Sequence, residues 1–286
     1  MGDKVRVFEV GPRDGLQNEP RLIPTSQKVH LIDLLSDCGF ETIEAASFVA
    51  PAWVPQMADA AEVFSAIRRR PGVGYAALTP NMQGYRRAKA AGADEVAIFG
   101  SASEGFSQKN INCSIAESLD RFAPVVAAAR ADGIPVRGYV SCAVACPCDG
   151  PTPPAAVATL TSALLQMGCY EVSLGDTIGA GTPATIAAML DAVLEYAPAD
   201  RLAGHYHDTG GTALQNIETS LSRGLRTFDA AVGGLGGCPF APGASGNIAT
   251  GAVVRLLQQS GFETGIDSER LAEAARFAES LRGGSS

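Results

Sequence analysis

The sequence predicts an α/β protein of the (β/α)₈ TIM-barrel class with an extra C-terminal helix. Short β-branched runs alternate eight times with Ala- and Leu-rich amphipathic stretches. These strand-then-helix units recur roughly every 20–40 residues, as such barrels require. The chain has 286 residues, of which 46% are hydrophobic, so one barrel with a large core can be built from it. We therefore expect a single catalytic domain over residues 1–286.

Eight strands are predicted where β-branched and small apolar residues cluster between turn residues. In chain order they are VRVFEV (5–10), TIEAASF (42–48), GVGYAAL (72–78), DEVAIFG (94–100), IPVRGYV (134–140), YEVSLG (170–175), RLAGHYH (201–207) and LRTFDAAV (225–232). A doubly wound open sheet is the alternative. It usually has fewer units and carries a glycine-rich dinucleotide turn after its first strand, which GPRDGLQNE is not.

Amphipathic periodicity predicts a helix after each strand. The predicted helices cover about 27–37, 57–69, 85–91, 115–131, 154–167, 183–196, 211–222 and 246–260. A long polar loop is expected at 102–114, between the fourth strand and its helix. The C-terminal helix, 267–282, has an apolar stripe that packs on the barrel or on a second subunit, and residues 283–286 form a tail. This stripe is the basis for predicting a homodimer.

Composition narrows the range of partners. A net charge of −8 and a pI near 5.0 argue against nucleic acid or an anionic membrane as a partner. No stretch approaches the ~18 unbroken apolar residues of a membrane span, and no targeting segment precedes the first strand. A cytoplasmic location is therefore predicted, or an organellar matrix after loss of a transit segment. The seven cysteines follow no disulfide framework, so reduced thiols are predicted.

A metal site is predicted around the segment HYHDTGG, residues 205–211. His205 and His207 lie two apart at a strand end, so both rings project to the same side. Asp14, after strand one, and Asn247, after strand eight, would meet them at the active end of a barrel. Two histidines and a carboxylate also suit Fe(II), but an added amide oxygen favours octahedral Mg²⁺ or Mn²⁺. The alternative is one satisfied buried histidine and one surface histidine.

Further candidates lie at the same end of the barrel. Arg13 can hold a carbonyl or enolate oxygen as negative charge develops, or it is an ion-pair partner of Glu9 or Glu44. Glu44 lies mid-strand, so it must be paired or have a raised pKa. Cys238, in the glycine-rich loop GGLGGCPFAPGASGN, is an acid/base group, a closing residue or an uninvolved thiol. The remaining candidates are Gln17, Ser47, Asn110, Ser173, Asp176 and Thr177.

Two polar or sulfur-bearing segments are ambiguous. Cys142, Cys146 and Cys148 look like a metal knuckle but have no second pair at a zinc spacing, so packing after strand five is predicted. Lys109 and Asn110 either meet a phosphate or amide of a long substrate or lie in a solvated loop.

Seven motifs occur in order between about residues 5 and 280, and together they resemble the hydroxymethylglutaryl-CoA lyase family. They are VFEVGPRDGLQNE, IEAASFVAPAWVPQM, FGSASEGFSQKNINCS, VRGYVSCAVACP, GCYEVSLGDTIGAGTP, HYHDT and GLGGCPFAPGASGN. The resemblance implies a TIM-barrel metallolyase that cleaves a branched 3-hydroxy acyl-CoA into acetyl-CoA and acetoacetate. It also implies the leucine-catabolic and ketone-body context of that reaction.

The resemblance further implies roles for individual residues. Asp14, His205, His207 and Asn247 would hold the divalent cation, Arg13 would stabilise the acetyl-CoA enolate, and Glu44 would orient Arg13. Cys238 would complete catalysis, and Asn110 would meet the CoA arm. The base stays open among a metal-bound water, Asp176 and His205.

The chain departs from the family pattern at three places. Ala231-Val232-Gly233 lacks a usual serine, Gly251-Ala252 replaces a usual acidic pair, and HYHDTGG carries unusual Tyr206 and Gly210. We expect the substrate pocket to differ at Tyr206 and Gly210. The lost acidic pair at Gly251-Ala252 can change the substrate range or the rate, so a sister lyase for citramalyl-CoA or 3-hydroxy-3-isohexenylglutaryl-CoA is an alternative.

Two further hypotheses come from different functional classes. The first is a catalytically silent barrel that acts as a binding module, although such a barrel need not keep Asp14, His205, His207 and Asn247 together. The second is an Fe(II) oxygenase, but the chain lacks the jelly-roll strand pattern that such enzymes usually have. The intact ligand set on a barrel therefore favours the metallolyase.

Overall fold

The computed structural model describes residues 3–236 and 246–282. Within these residues, eight parallel strands close into a barrel, and a small antiparallel hairpin follows the fifth strand. The barrel strands are β1 (Arg6–Glu9), β2 (Thr42–Ser47), β3 (Gly74–Leu78), β4 (Glu95–Ser101), β5 (Val136–Ser141), β8 (Glu171–Asp176), β9 (Leu202–Tyr206) and β10 (Thr227–Ala230), and the hairpin strands are β6 (Ala145–Cys146) and β7 (Gly150–Pro151). β1 pairs with β2 on one side and β10 on the other, which closes the barrel.

Helices surround the barrel in the order expected for βα units. They are α1 (Thr25–Ser36), α2 (Ala60–Ala66), α3 (Met82–Ala90), α4 (Glu104–Ile111), α5 (Ile115–Ala131), α6 (Pro154–Met167), α7 (Pro183–Leu194), α8 (Ala213–Ser222), α9 (Thr250–Gln259) and α10 (Ser268–Leu281). The predicted barrel, its eight strands and the C-terminal helix are confirmed. No helix in the described ranges has the length and apolarity needed to cross a bilayer.

Local sequence signals explain where several helices begin. Ser114 and Glu117 form a capping box at α5, in which each side chain bonds the other residue's backbone amide. The helix therefore begins at Ile115, as predicted. At α6 proline occupies the first helical position, where a missing amide hydrogen costs nothing, and Gly168 ends the helix with φ of +126°.

The polar loop predicted at 102–114 is wrong, because helix α4 occupies most of it. Ser103 caps this helix by accepting a hydrogen bond from the Phe106 amide at 3.3 Å. Phe106 and Ser107 face the interior, while most of the other α4 side chains are polar and face solvent or the barrel mouth. The two apolar side chains of α4, Phe106 and Ile111, are too few to produce a visible helical period. The boundaries of α2 and α9 are also shorter than predicted, at Ala60–Ala66 and Thr250–Gln259.

Helix α10 packs on the outside of the barrel, the first of the two predicted alternatives. Leu271, Ala274 and Ala278 are buried within the chain. His30 of α1 meets Phe277 edge-on, with ring centroids 4.6 Å apart. The apolar stripe is consequently covered by the chain's own helices, and the reason for expecting a second subunit at this surface no longer applies. The predicted tail, 283–286, lies outside the described residues.

Candidate active site

The predicted metal ligands converge at the carboxyl end of the barrel. Asp14 lies in a short helical turn, Gly11–Gly15, that begins directly after β1. His205 lies in β9, and His207 follows that strand and bridges to Asn247 through the backbone. Asp14, His205 and His207 each offer a ligand atom, and the three atoms lie within 4.8 Å of one another. These three residues therefore form a triad able to bind a metal ion.

Among the described residues, one buried nitrogen of the triad lacks a hydrogen-bond partner, as a metal ligand would in the absence of its ion. The Nδ1 atom of His207 is buried and has no hydrogen-bond partner in the part of the chain that the structure describes. A buried imidazole nitrogen without a partner is costly unless a metal ion or another group takes its lone pair. Asn247 lies against the triad, with its Nδ2 donating to Oδ2 of Asp14 at 2.8 Å. Its role as the fourth ligand, which would use the amide oxygen, stays a prediction.

Asp229 fixes the orientation of His205. Its Oδ2 lies 3.1 Å from Nδ1 of His205, which assigns the ring hydrogen to Nδ1 and leaves Nε2 to face Asp14, 3.8 Å away. Asp229 is held in turn by a two-pronged ion pair with Arg137, at 2.7 and 3.1 Å, and by the Ser173 hydroxyl at 2.7 Å. A chain of buried contacts therefore runs from the barrel core to the triad.

The pKa values keep two ligands in their metal-binding forms at neutral pH. Burial alone raises the pKa of Asp14, but the Arg13 guanidinium and both imidazoles outweigh it and bring the pKa to about 2. Burial, together with His205, lowers the pKa of His207 to about 4, so its ring is neutral. Burial alone lowers the pKa of His205, yet the carboxylates of Asp229 and Asp14 raise it overall. A proton therefore competes with a metal ion for His205 more strongly than for His207.

Arg13 lies between the triad and a buried carboxylate. Its Nε donates to Oε2 of Glu44 at 2.6 Å, and its Nη1 donates to Oδ1 of Asp14 at 2.6 Å. The Tyr139 ring lies under the guanidinium, 5.5 Å from Cζ to the ring centroid. Glu44 is fully buried, and burial raises its pKa despite the partnership with Arg13. The predicted ion pair is thus present, and Arg13 is fixed at the cavity floor.

A cavity of about 570 Å³ opens above the triad. Its floor carries Arg13 and the ligands, and Leu78, Phe99 and Tyr139 form an apolar side. Lys109, Asn110 and Arg121 lie on a polar, partly cationic side. The cavity can therefore accept a long molecule with a polar reactive end and an anionic or amide-bearing tail.

The remaining predicted site residues divide into two groups. Gln17, Asn110 and Thr177 line the cavity, and Gln17 also donates to Oδ1 of Asp14 at 3.0 Å. Ser47, Ser173 and Asp176 are fully or nearly fully buried and are not among the lining residues. Their predicted contacts with substrate stay predictions.

The side chains of this second group are already engaged. The Ser47 hydroxyl accepts from the Val49 amide at 3.4 Å. The carboxylate of Asp176 accepts from the amides of Ala180 and Gly181, at 3.1 and 2.8 Å. The predicted catalytic Cys238 lies outside the described residues.

Two sequence expectations about the pocket are wrong. Tyr206 points away from the cavity, because alternate residues of β9 face opposite sides, and its hydroxyl pairs with Ser220 of α8 at 2.7 Å. Gly210 lies in the loop beside Gly179, outside the lining. At Gly251, a β-carbon would meet no atom of the described residues within 4 Å, so their packing does not explain the missing acidic side chain.

Sequence reasoning missed the buried charges beneath the site. Arg137 and Asp229 are among the most deeply buried groups of the barrel, and Glu171 bonds Nε of Arg137 at 2.8 Å. The available signal was an ionisable residue inside each of the strands VRGYVS, EVSLGD and TFDA. Packing was predicted for the cysteine cluster, and it is confirmed for Cys142 and Cys146, which pack with Phe106.

The chain is similar to known proteins over nearly its whole length. A family model described as HMGL-like matches residues 4–278. The mitochondrial hydroxymethylglutaryl-CoA lyase of Bos taurus is 57% identical over 274 residues, which are 96% of this chain and 84% of that protein. A 3-hydroxy-3-isohexenylglutaryl-CoA/hydroxymethylglutaryl-CoA lyase of Pseudomonas aeruginosa is 55% identical over 273 residues, 96% of this chain and 91% of that one. The crystal structure of the HMG-CoA lyase from Brucella melitensis superposes with a TM-score of 0.97 at 62% identity, covering 98% of this chain and 99% of that chain.

Proposed function

Because the chain belongs to the HMGL-like family, we propose that it is a divalent-metal-dependent lyase that cleaves 3-hydroxy-3-methylglutaryl-CoA to acetyl-CoA and acetoacetate. One observation carries this most directly: Asp14, His205 and His207 converge beneath the cavity with Arg13 beside them. The whole chain, residues 1–286, would act as one catalytic domain. Relatives at 55–62% identity over more than 95% of the chain carry the name of this activity.

Mg²⁺ or Mn²⁺ is the proposed cation. The ligand set offers a carboxylate and, from Asn247, an amide oxygen beside the two imidazoles, which suits a hard cation with positions left for substrate oxygens. When bound, the cation would act as a Lewis acid toward the hydroxyl and carboxylate oxygens of the substrate. Asp14 and His207 are already in their unprotonated forms at neutral pH. The carboxylates of Asp229 and Asp14 raise the pKa of His205 despite its burial, so a proton competes with the cation most strongly at this ligand.

Arg13 is the proposed electrostatic catalyst. Cleavage of the carbon–carbon bond leaves negative charge on the thioester oxygen of the departing acetyl-CoA as an enolate. The guanidinium of Arg13 lies in the cavity floor, and Glu44 and Asp14 hold it from behind and from the side. A donor that is fixed before the reaction stabilises the developing charge without reorganisation.

The proposed cleavage needs two proton transfers, one from the substrate hydroxyl and one to the enolate carbon. Protonation of the enolate carbon by Cys238 stays a prediction. The base that takes the hydroxyl proton stays open among Asp176, His205 and a metal-bound water. Both carboxylate oxygens of Asp176 accept backbone amides, so Asp176 would use its remaining lone pairs for this role. Nδ1 of His205 is paired with Asp229, so His205 could act as the base only through Nε2, the nitrogen proposed to hold the cation.

One assay tests the proposal. The purified protein is stripped with EDTA, incubated with 3-hydroxy-3-methylglutaryl-CoA, and supplied with Mg²⁺ or Mn²⁺ while acetoacetate is measured. We expect no product before the metal is added and product afterwards. Absence of acetoacetate with either metal would overturn the named activity and favour a silent binding module.

We propose 3-hydroxy-3-isohexenylglutaryl-CoA as a second substrate, because one relative is named for this activity as well. The Pseudomonas aeruginosa lyase acts, by that name, on an isohexenylglutaryl thioester as well. The apolar side formed by Leu78, Phe99 and Tyr139 is where a longer alkyl branch would lie. The same assay with 3-hydroxy-3-isohexenylglutaryl-CoA and with citramalyl-CoA separates the three substrates.

The homodimer and the cytoplasmic location remain predictions, to be measured by light scattering and by cell fractionation.

A further inference from the structure

The hairpin β6–β7 holds a sulfur atom in a nest of hydrogen-bond donors. Sγ of Cys146 accepts from the backbone amides of Cys148 and Asp149 at 3.2 and 3.3 Å. The Ser103 hydroxyl lies 2.9 Å from the same sulfur and shares its single proton between this sulfur and the Asp149 carboxylate. The sulfur is buried against Phe106 and Cys142. Several donors directed at one sulfur favour its ionised form.

A second thiol lies within bonding reach of this sulfur. Cys148 is two residues further along, at the exposed tip of the hairpin. Two residues can separate α-carbons by at most ~7 Å, and disulfides form at α-carbon distances up to ~6.8 Å. The turn also folds back, since the Cys148 amide itself touches Sγ of Cys146. The two side chains are also in contact, since desolvation and a side-chain hydrogen bond with Cys146 are among the causes that raise the pKa of Cys148.

We propose that Cys146 and Cys148 form a reversible dithiol–disulfide pair that controls helix α4. Cys148 is the residue that solvent reaches, and Cys146 is the buried nucleophile that closes the bond. The nest gives Cys146 the thiolate character this step requires. Burial alone raises the pKa of its thiol, but the hydrogen bonds from Ser103, Cys148 and Asp149 lower the pKa overall.

The oxidant is a small-molecule disulfide. The Cys148 thiolate attacks one sulfur of the oxidant, which breaks the oxidant's S–S bond and releases one thiolate. The Cys146 thiolate then attacks the Cys148 sulfur of the mixed disulfide, forms the Cys146–Cys148 bond and releases the second thiolate. Each protein thiol loses one proton, and the two leaving thiolates take them up. The protein is oxidised by two electrons and the small-molecule disulfide is reduced by two.

The hairpin is tied to the beginning of α4. Ser103 caps this helix, and Oδ2 of Asp149 accepts from both the Ser103 hydroxyl at 2.5 Å and the Gly105 amide at 2.7 Å. The opposite end of α4, with Lys109 and Asn110, lines the cavity above the triad.

Oxidation acts on α4 through these contacts. A disulfide sulfur is a poorer acceptor than a thiolate, so oxidation weakens the hydrogen bonds that Sγ of Cys146 accepts. The turn that carries Asp149 then shifts. We expect the amides of α4 to lose protection and, given the proposed function, acyl-CoA to bind less tightly to the oxidised protein.

The bond itself is tested by mass. The protein is equilibrated with oxidised glutathione, free thiols are alkylated, and the intact mass and fragment ions are recorded. We expect the wild type and Cys142→Ser to retain an unalkylated pair with a loss of two hydrogens, localised to residues 146–148. Cys148→Ser should not show it. The control Cys169→Ser removes a thiol whose pKa burial raises to about 12 and should behave as the wild type.

Alkylation of both Cys146 and Cys148 after oxidation would overturn the pair, as would a Cys142–Cys146 bond. The coupling to α4 is tested separately by hydrogen exchange, which needs no substrate. Oxidation should speed exchange of the 104–111 amides in the wild type and not in Cys148→Ser. Unchanged exchange in the wild type would overturn the coupling.

Kinetics link the pair to the proposed function. Under oxidation we expect a several-fold rise in the KM for the acyl-CoA in the wild type only. If oxidation lowers kcat equally in the wild type and in Cys148→Ser, that loss is caused by other thiols, such as Cys238. A protein that forms the disulfide but is inactive would refute the proposed function and leave the redox pair standing. An active protein whose KM does not change on oxidation would refute the link between the disulfide and acyl-CoA binding.

Discussion

The carboxylate of Asp229 reaches Nδ1 of His205 at 3.1 Å from inside the barrel, on the side of the imidazole opposite Asp14. A carboxylate behind a metal-binding histidine fixes its tautomer and strengthens it as a ligand. We predict that Asp229→Asn weakens Mn²⁺ binding by ~10–100-fold, the usual loss when such a partner is removed. Isothermal titration of the EDTA-treated protein measures this.

Ser173→Ala is the matched control. The Ser173 hydroxyl donates to the same Oδ2 atom of Asp229, but the Ser173 side chain does not contact the imidazole of His205. The variant should bind Mn²⁺ nearly as the wild type does. Equal affinities for the wild type and Asp229→Asn would show that His205 is oriented by other contacts.

The Arg13–Glu44 pair complicates the simplest test of Arg13. We predict that Arg13→Ala keeps the metal and loses kcat by ~10²–10⁴-fold, the range for an electrostatic or acid/base group. The same change leaves Glu44 buried without its cation, so the free energy of unfolding should fall by ~3–5 kcal/mol. Denaturant unfolding and steady-state kinetics measure the two losses.

A double variant separates these effects. Arg13→Met/Glu44→Gln removes both buried charges, so it should recover most of the stability while kcat stays low. Recovery of kcat together with stability would mean that Arg13 acts only through folding.

The fold was predictable because barrel strands are buried on both faces and therefore read as apolar runs. The metal triad was predictable because chemistry in these barrels lies at the strand ends, a positional rule that needs no tertiary contacts. Helix α4 escaped prediction since only Phe106 and Ser107 face inward, and its one clear signal was the cap residue Ser103. Arg137 and Asp229 lie 92 residues apart in sequence, so barrel closure alone brings them together.

The carboxylate of Glu9 predicts a pH dependence of stability. It is fully buried, accepts the amides of Gly11 and Val232 at 2.8 Å each, and accepts the Thr250 hydroxyl at 2.7 Å. Burial raises its pKa from 4.5 to about 7 despite these bonds. Between those pH values the folded protein keeps a proton that the unfolded chain has lost. The free energy of unfolding should therefore fall as pH rises through this window, by at most about 1.4 kcal/mol per unit from this group.

The Glu9→Gln variant has no ionisable group at this position. The difference in the free energy of unfolding between the variant and the wild type should therefore change in favour of the variant from pH 5 to pH 7 and stay constant above pH 7. Urea unfolding in EDTA across this range provides the measurement, and EDTA removes any contribution from metal binding. The surface variant Glu62→Gln serves as control and should keep the wild-type curve shape. Parallel curves for the wild type and Glu9→Gln would contradict a titration of Glu9 in this window.

Asn110 tests which side of the cavity binds the acyl-CoA tail. It lies near the end of α4, exposed on the polar side, away from the triad at the floor. A contact that is equally strong in the ground state and the transition state changes KM and leaves kcat alone. Asn110→Ala should therefore raise the KM for the acyl-CoA with little change in kcat, and Mn²⁺ affinity should stay at the wild-type value. Gln108→Ala, on the same helix but outside the lining, is the matched control. A lower kcat at unchanged KM would place Asn110 at the reacting end of the substrate and reverse the orientation proposed for the tail.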